Sequence, residues 1–162
     1  MIWNPIFPVE FSLSATIHGY HRSLCMNSIR GRGSIVNPGA MLGLDPGGSC
    51  KGLVMKVGGD VPNELKLLWR REMMSGAYNP KWLDAESGDR SIRALTFVAN
   101  RASDHHAGRL TDKEVTRRLA TASGIGGSNF DYVRRTQESL EAHGIQDAKL
   151  WRFLRTQGLS DR

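Results

Sequence analysis

At 162 residues, 40% of them hydrophobic and 23% charged, the chain has the length and balance of a single globular domain with a real core. No apolar run approaches the roughly 18 residues of a membrane span, and two cysteines are too few for a Cys-rich metal site. The net charge of +6 admits nucleic acid, an anionic substrate or a membrane surface as partner, but no RNA-binding signature accompanies the arginine doublets Arg70-Arg71, Arg117-Arg118 and Arg134-Arg135, which read as solvated helix faces.

The opening MIWNPIFPVEF has no basic leader and does not read as a signal peptide. A reducing cytosol is therefore the expected compartment, with Cys25 and Cys50 as free thiols. The stretch 15–28 reads as a strand region. Residues 40–44 and 50–57 read as two short strands joined by the turn DPGGS at 45–49. Asp60 is a good helix N-cap, and Pro62 follows in the first turn, where a missing N–H costs nothing. Residues 92–101 form a further strand, expected to be central because both of its faces are apolar.

The last third is helical. Thr111 and Glu114 form a capping box, with a staple between Leu110 and Val115, and that helix is expected to end near Gly124. The glycine-rich SGIGGSN at 123–129 is either a helix-to-helix linker or an anion-holding loop. A second helix opens at Ser128 or Asn129 and stops at Gly144, a fitting residue after a helix end. A last helix carries Leu150, Trp151, Phe153 and Leu154. Strands first and helices after give an α+β class. Five histidines show no metal-ligand spacing.

One residue in the helix after Asp60 raises a chemical question. Leu65, Leu68 and Trp69 recur at i, i+3 and i+4, and Glu72 extends that apolar stripe at i+7, whereas Lys66, Arg70 and Arg71 point elsewhere. A carboxylate buried there would have its pKa raised by desolvation, which suits a proton shuttle. A helix end emerging into water, with Glu72 paired to an arginine, fits the periodicity as well.

Three stretches in order bear on that choice: GLDPGGSCKGLVMKV, then WRREMMSGAYNPKW with Trp69, Arg70, Arg71, Glu72, Met73, Gly76, Tyr78, Pro80 and Trp82, then SGIGGSNFDYV with Ser123, Gly124, Asn129 and Tyr132. GYHRSLCMNS, Arg32-Gly33 and Pro38-Gly39 fall into the same register. Together they resemble the ChaC-like γ-glutamylcyclotransferases across essentially the whole chain. The resemblance implies one domain over 1–162, a small mixed β-barrel with flanking helices, and a carbon–nitrogen lyase. It would degrade glutathione to 5-oxoproline and cysteinylglycine, using no cofactor and no metal.

The resemblance also places the catalytic general acid/base at Glu72. Candidate substrate contacts are Ile2, Trp3, Ser28, Arg32 and Tyr132, and a plainer role is open for the last three: strand-end serine, loop charge and core tyrosine. Tyr78 and Trp82 are expected to pack behind Glu72, and Cys50 to be structural. Ile2 and Trp3 match the end of the family's F-x-Y-G-S-L-x-W opening, and the Y-G-S part is absent. The first strand and glycine turn are thus expected to be incomplete, and two alternatives stay open: the true start lies upstream and the chain is shortened, or the protein is a defective member. Gly31 and Ile29 stand where the family commonly has histidine and threonine. Open alternatives are a cyclotransferase for another γ-glutamyl amine, a non-catalytic binder of γ-glutamyl peptides or acidic partners, and a basic nucleic-acid binder. A cytoplasmic monomer without specific nucleic-acid or membrane partners is the expectation.

Overall fold

The computed structural model describes residues 4–158, so Ile2 and Trp3 lie outside the described residues. In chain order the elements are β1 (Val9–Ser28), β2 (Gly39–Val57), α1 (Val61–Met73), β3 (Tyr78–Ser87), β4 (Arg90–Ala99), α2 (Asp112–Thr121), β5 (Ser123–Gly124), β6 (Gly127–Ser128), α3 (Asn129–Ala142) and α4 (Ala148–Gly158). The α+β class stands. Two compact units share the chain: one holds residues up to Arg22 and Leu44–Ser103, the other Ser23–Gly43 and the chain from Asp104 onward. β1 and β2 each change unit partway along.

The main sheet has the order β2-β1-β3-β4. Among the described residues β2 and β4 are its two ends, so the barrel closure expected from the resemblance is not found. The sequence signals also placed β4 centrally; it is an end strand, and only Val98 and Ala99 of it are fully buried. β3 was not anticipated. It pairs antiparallel with β4 from Tyr78↔Ala99 to Ser87↔Arg90, across a two-residue loop in which Gly88 has φ +57. Its Pro80 sits at the end away from the recorded β1 pairs, Thr16↔Glu86 and Ile17↔Ala85. The two short strands expected at 40–44 and 50–57 are one strand, because Gly47 (φ +100) and Gly48 (φ +71) bend it within DPGGS without ending it.

In the second unit α2, α3 and α4 pack together. Their apolar stripes meet at helical spacing: Val115 and Leu119, then Val133 and Leu140, then Leu150 and Phe153, all buried. Thr111 caps α2 by accepting from the Glu114 N–H at 3.2 Å, and Ser128 caps α3 by accepting from Asp131 at 3.1 Å. α2 stops at Thr121, short of Gly124, because Ala122 is already extended at φ −85, ψ 132 and leads into β5. Gly144 takes φ +68 just past α3, as its place in the sequence suggested.

Candidate active site

In the first unit the site is built on α1. Asp60 caps it, with its carboxylate accepting from the Asn63 backbone at 3.5 Å and side chain at 2.6 Å. The predicted apolar stripe splits in two. Leu68 is buried and Glu72, one turn on, lies on the same inner face with its side chain only 11% exposed. Leu65 and Trp69 are 40% and 47% exposed and line an open groove with Pro62, Lys66 and Arg70. The solvated reading of Glu72 is therefore wrong, although the arginine it invoked is present.

Arg71 Nε lies 3.5 Å from Glu72 Oε1, without hydrogen-bond geometry, and that buried oxygen accepts no hydrogen bond. Burial pushes the Glu72 carboxyl above the ordinary carboxylate range, and the Arg71 charge offsets part of the shift. The C-terminal end of α1, whose carbonyls carry partial negative charge, disfavours a carboxylate in the same sense.

The chain beyond Glu72 is pinned. Gly76 turns at φ +66, its carbonyl accepts from Asn100 Nδ2 at 2.9 Å, and Asn100 N–H donates to the Ala77 carbonyl at 3.0 Å. This ties the exit of α1 to the end of β4. Trp82, expected to pack behind Glu72, is 60% exposed, and Tyr78 is half-buried.

The second unit brings Ser28, Arg32 and Tyr132 together. Buried Ser28 accepts the Arg32 backbone N–H on its hydroxyl at 2.8 Å. The Arg32 guanidinium stands over the Tyr132 ring, 5.9 Å from its centroid, and Nη1 reaches the Ser128 carbonyl at 3.5 Å. Tyr132 takes the Leu42 N–H on its phenolic oxygen at 3.2 Å. One turn earlier, fully buried Asn129 pairs with both backbone groups of Ala40, accepting at 2.7 Å and donating at 2.8 Å. Two side chains of α3 thus grip the start of β2, which fixes where the tyrosine stands.

The glycines of SGIGGSN serve this packing. β5 and β6 form a small hairpin laid against Arg30–Arg32, where the Ile125 N–H donates to Arg30 O at 3.0 Å and the Gly126 N–H to Gly31 O at 2.8 Å. A Cβ on Gly124 would stand 2.2 Å from the Arg30 oxygen. Those two amides are committed to carbonyls and are not free to hold an anion. A second close approach closes the Arg32 loop on itself: a Cβ on Gly33 would lie 2.1 Å from the Gly39 nitrogen.

Sequence reasoning missed the Asn129 anchor and misread Arg118, which is buried and donates to Asn27 Oδ1 at 2.7 Å instead of facing solvent. Asn129 stood in the quoted motif, but nothing local shows that its partner is 89 residues away. Cys25 and Cys50 are both buried, and neither is joined in a disulfide.

Comparison with known proteins supplies the family. The ChaC-like protein family matches residues 1–157. The glutathione-specific γ-glutamylcyclotransferase of Escherichia coli (strain K12) is 33% identical over 150 residues, covering 91% of this chain and 64% of the relative. The mouse glutathione-specific γ-glutamylcyclotransferase 1 is 27% identical over 90% of this chain and 68% of its own. The chain therefore spans about two thirds of the length of these relatives. Among solved structures, a yeast γ-glutamyl cyclotransferase specific to glutathione superposes with a TM-score of 0.84 at 18% identity, over 96% of this chain and 90% of that one, which speaks for a shared fold. With the family match running from residue 1 to residue 157, the chain belongs to the ChaC-like proteins.

Proposed function

We propose that this protein degrades glutathione by intramolecular cyclisation, with Glu72 as general acid/base. The observation that carries the reading is the Glu72 carboxyl itself: buried, raised in pKa and holding an oxygen that accepts no hydrogen bond. The relatives' names supply the substrate, since those of the bacterial and mouse proteins are glutathione-specific.

The chemistry accounts for a single carboxylate. The α-amine of the γ-glutamyl residue attacks its own side-chain carbonyl, a C–N bond forms in a five-membered ring, and the C–N bond to cysteine breaks. The attacking nitrogen must lose a proton and the leaving nitrogen must gain one. A carboxyl with a raised pKa takes the first and returns the second, a contribution on the order of 10²–10⁴-fold. No water is consumed, and no nucleophile from the protein is required.

Arg32, a planar donor fork suited to carboxylates, pairs with a carboxylate of the substrate in this reading. Tyr132 contacts the substrate from beneath that guanidinium. Ser28 enters through Arg32, whose backbone it holds. The protein is read as a cytoplasmic monomer. Its +6 charge is expected to give only weak, salt-sensitive association with nucleic acid. No helix among the described residues is long and apolar enough to cross a membrane.

The test is 5-oxoproline release from reduced glutathione, with oxidised glutathione and γ-glutamyl dipeptides run alongside. Turnover confined to reduced glutathione supports the reading. Faster turnover of the dipeptides moves the activity to another γ-glutamyl amine, and no turnover of any of them removes it.

A further inference from the structure

The loop that carries Arg32 is clamped to α2 at both ends, and each clamp includes an arginine held by the same carboxylate. At the entry, Arg118 Nη1 donates to Asn27 Oδ1 at 2.7 Å, next to Ser28. At the exit, Arg117 Nη1 donates to Asn37 Oδ1 at 3.0 Å, and Asn37 Nδ2 donates to the Thr121 carbonyl at 3.1 Å. Glu114 sets both arginines. Its Oε1 accepts from Arg118 Nε at 2.7 Å and from Arg117 Nη2 at 2.8 Å, and its Oε2 accepts from Arg117 Nε at 2.9 Å.

We infer that Glu114 is a positioning residue for the substrate site: by aiming Arg117 and Arg118 at Asn37 and Asn27, it fixes the loop that presents Arg32. The inference rests on the reading that Arg32 binds a substrate carboxylate. A surface ion pair within a helix has little effect by itself. This one differs because each arginine continues to a residue distant in sequence, and because Arg118, its side chain only 11% exposed, has little water to turn to if its partner is lost. The two arginines hold the Glu114 carboxyl down at about 2, so it stays ionised throughout the range in which an enzyme would be assayed.

Glu114→Gln keeps the size and removes the charge. The expected result is a KM for glutathione raised about tenfold with kcat within about twofold, because ground-state binding is lost while the proton shuttle is untouched. In an Arg32→Ala background the same substitution should change KM by less than about twofold, since there is no guanidinium left to aim. Arg117→Lys, which cannot bridge Glu114 to Asn37, should act in the same direction and more weakly, at an exposed position where folding is not at stake. Glu138→Gln breaks an exposed pair with Arg134 in α3 and serves as the control without effect.

A second readout does not depend on activity. Hydrogen exchange of the Arg32 amide, which donates to Ser28 Oγ, should quicken about tenfold in Glu114→Gln and not in Glu138→Gln. Unchanged exchange overturns the clamp whatever the chain turns over. Additive effects of Glu114→Gln and Arg32→Ala on KM, or a fall in kcat at constant KM, overturn its bearing on the substrate. If the unmodified chain makes no 5-oxoproline, the functional reading fails and the role at a substrate site fails with it, while the exchange result still judges the clamp.

Discussion

Glu72→Gln should move activity and stability in opposite directions. The folded-state pKa of Glu72 is raised by burial. As pH rises past the unfolded value the unfolded chain gives up its proton first, so the carboxyl costs stability at neutral pH and costs none in acid, where both states are protonated. Glutamine keeps the volume and one acceptor but can never ionise. Oε1 sits in a buried place without a hydrogen bond, and an unsatisfied buried group costs about 1–3 kcal/mol, more if charged. Relieving the charge alone should return about 1 kcal/mol, or about 2–4 °C in Tm for a chain of this size at pH 7. The gain should vanish as pH falls through the unfolded carboxylate range. Over the same substitution kcat should drop about 10²-fold or more, about 2.7 kcal/mol or more of transition-state stabilisation. Thermal melts at pH 7 and pH 4, beside the 5-oxoproline assay, read both. A variant that is less stable at pH 7 and equally active would refute the reasoning about burial and the assignment of the base.

Three further outcomes follow from the geometry. Asn129→Ala leaves both backbone groups of Ala40 without their partner, which should cost about 3 kcal/mol and about 6–12 °C in Tm, measured by calorimetry. Gly124→Ala forces a Cβ against the Arg30 carbonyl and should destabilise by about 1–3 kcal/mol in urea titration, whereas Gly88→Ala, with nothing within 4 Å, should show only the smaller strain of its positive φ. Glu114, held at about 2 by Arg117 and Arg118, contributes stability above the unfolded carboxylate range and loses it as pH falls towards about 2. Glu114→Gln should therefore lower stability at pH 7 and narrow the gap to the parent in acid, by less than the shift alone implies because the group is partly solvated.

What was legible in the sequence was what local hydrogen bonds decide. Asp60 and Thr111 cap the helices they were expected to cap, and Ser128, one of the two residues at which α3 was expected to open, caps it, because each side chain accepts the N–H three residues on. Glu72 lay at the limit of that method. Periodicity aligned it with Leu68 but put Leu65 and Trp69 on the same stripe, and those two are exposed. Which flank of α1 is covered depends on tertiary packing that a helical repeat does not encode. β3 went unseen because Pro80 argues against a strand and only the Gly88-Asp89 turn signals a hairpin. Arg118 looked like a surface charge because its partner, Asn27, is 91 residues away. The grouping of Ser28, Arg32 and Tyr132 came from resemblance alone; nothing in their spacing announces that a guanidinium will stand over that ring.

The central claim is that the γ-glutamyl amine, and no water molecule, displaces cysteinylglycine with Glu72 moving the proton. The direct measurement is product analysis by mass spectrometry after incubation of the protein with reduced glutathione in ¹⁸O-enriched water. Cyclisation predicts 5-oxoproline and cysteinylglycine in equal amounts, with no ¹⁸O in either, and a large loss of both with Glu72→Gln. Free glutamate carrying ¹⁸O, or unlabelled 5-oxoproline formed as fast by the Glu72→Gln protein, would contradict it.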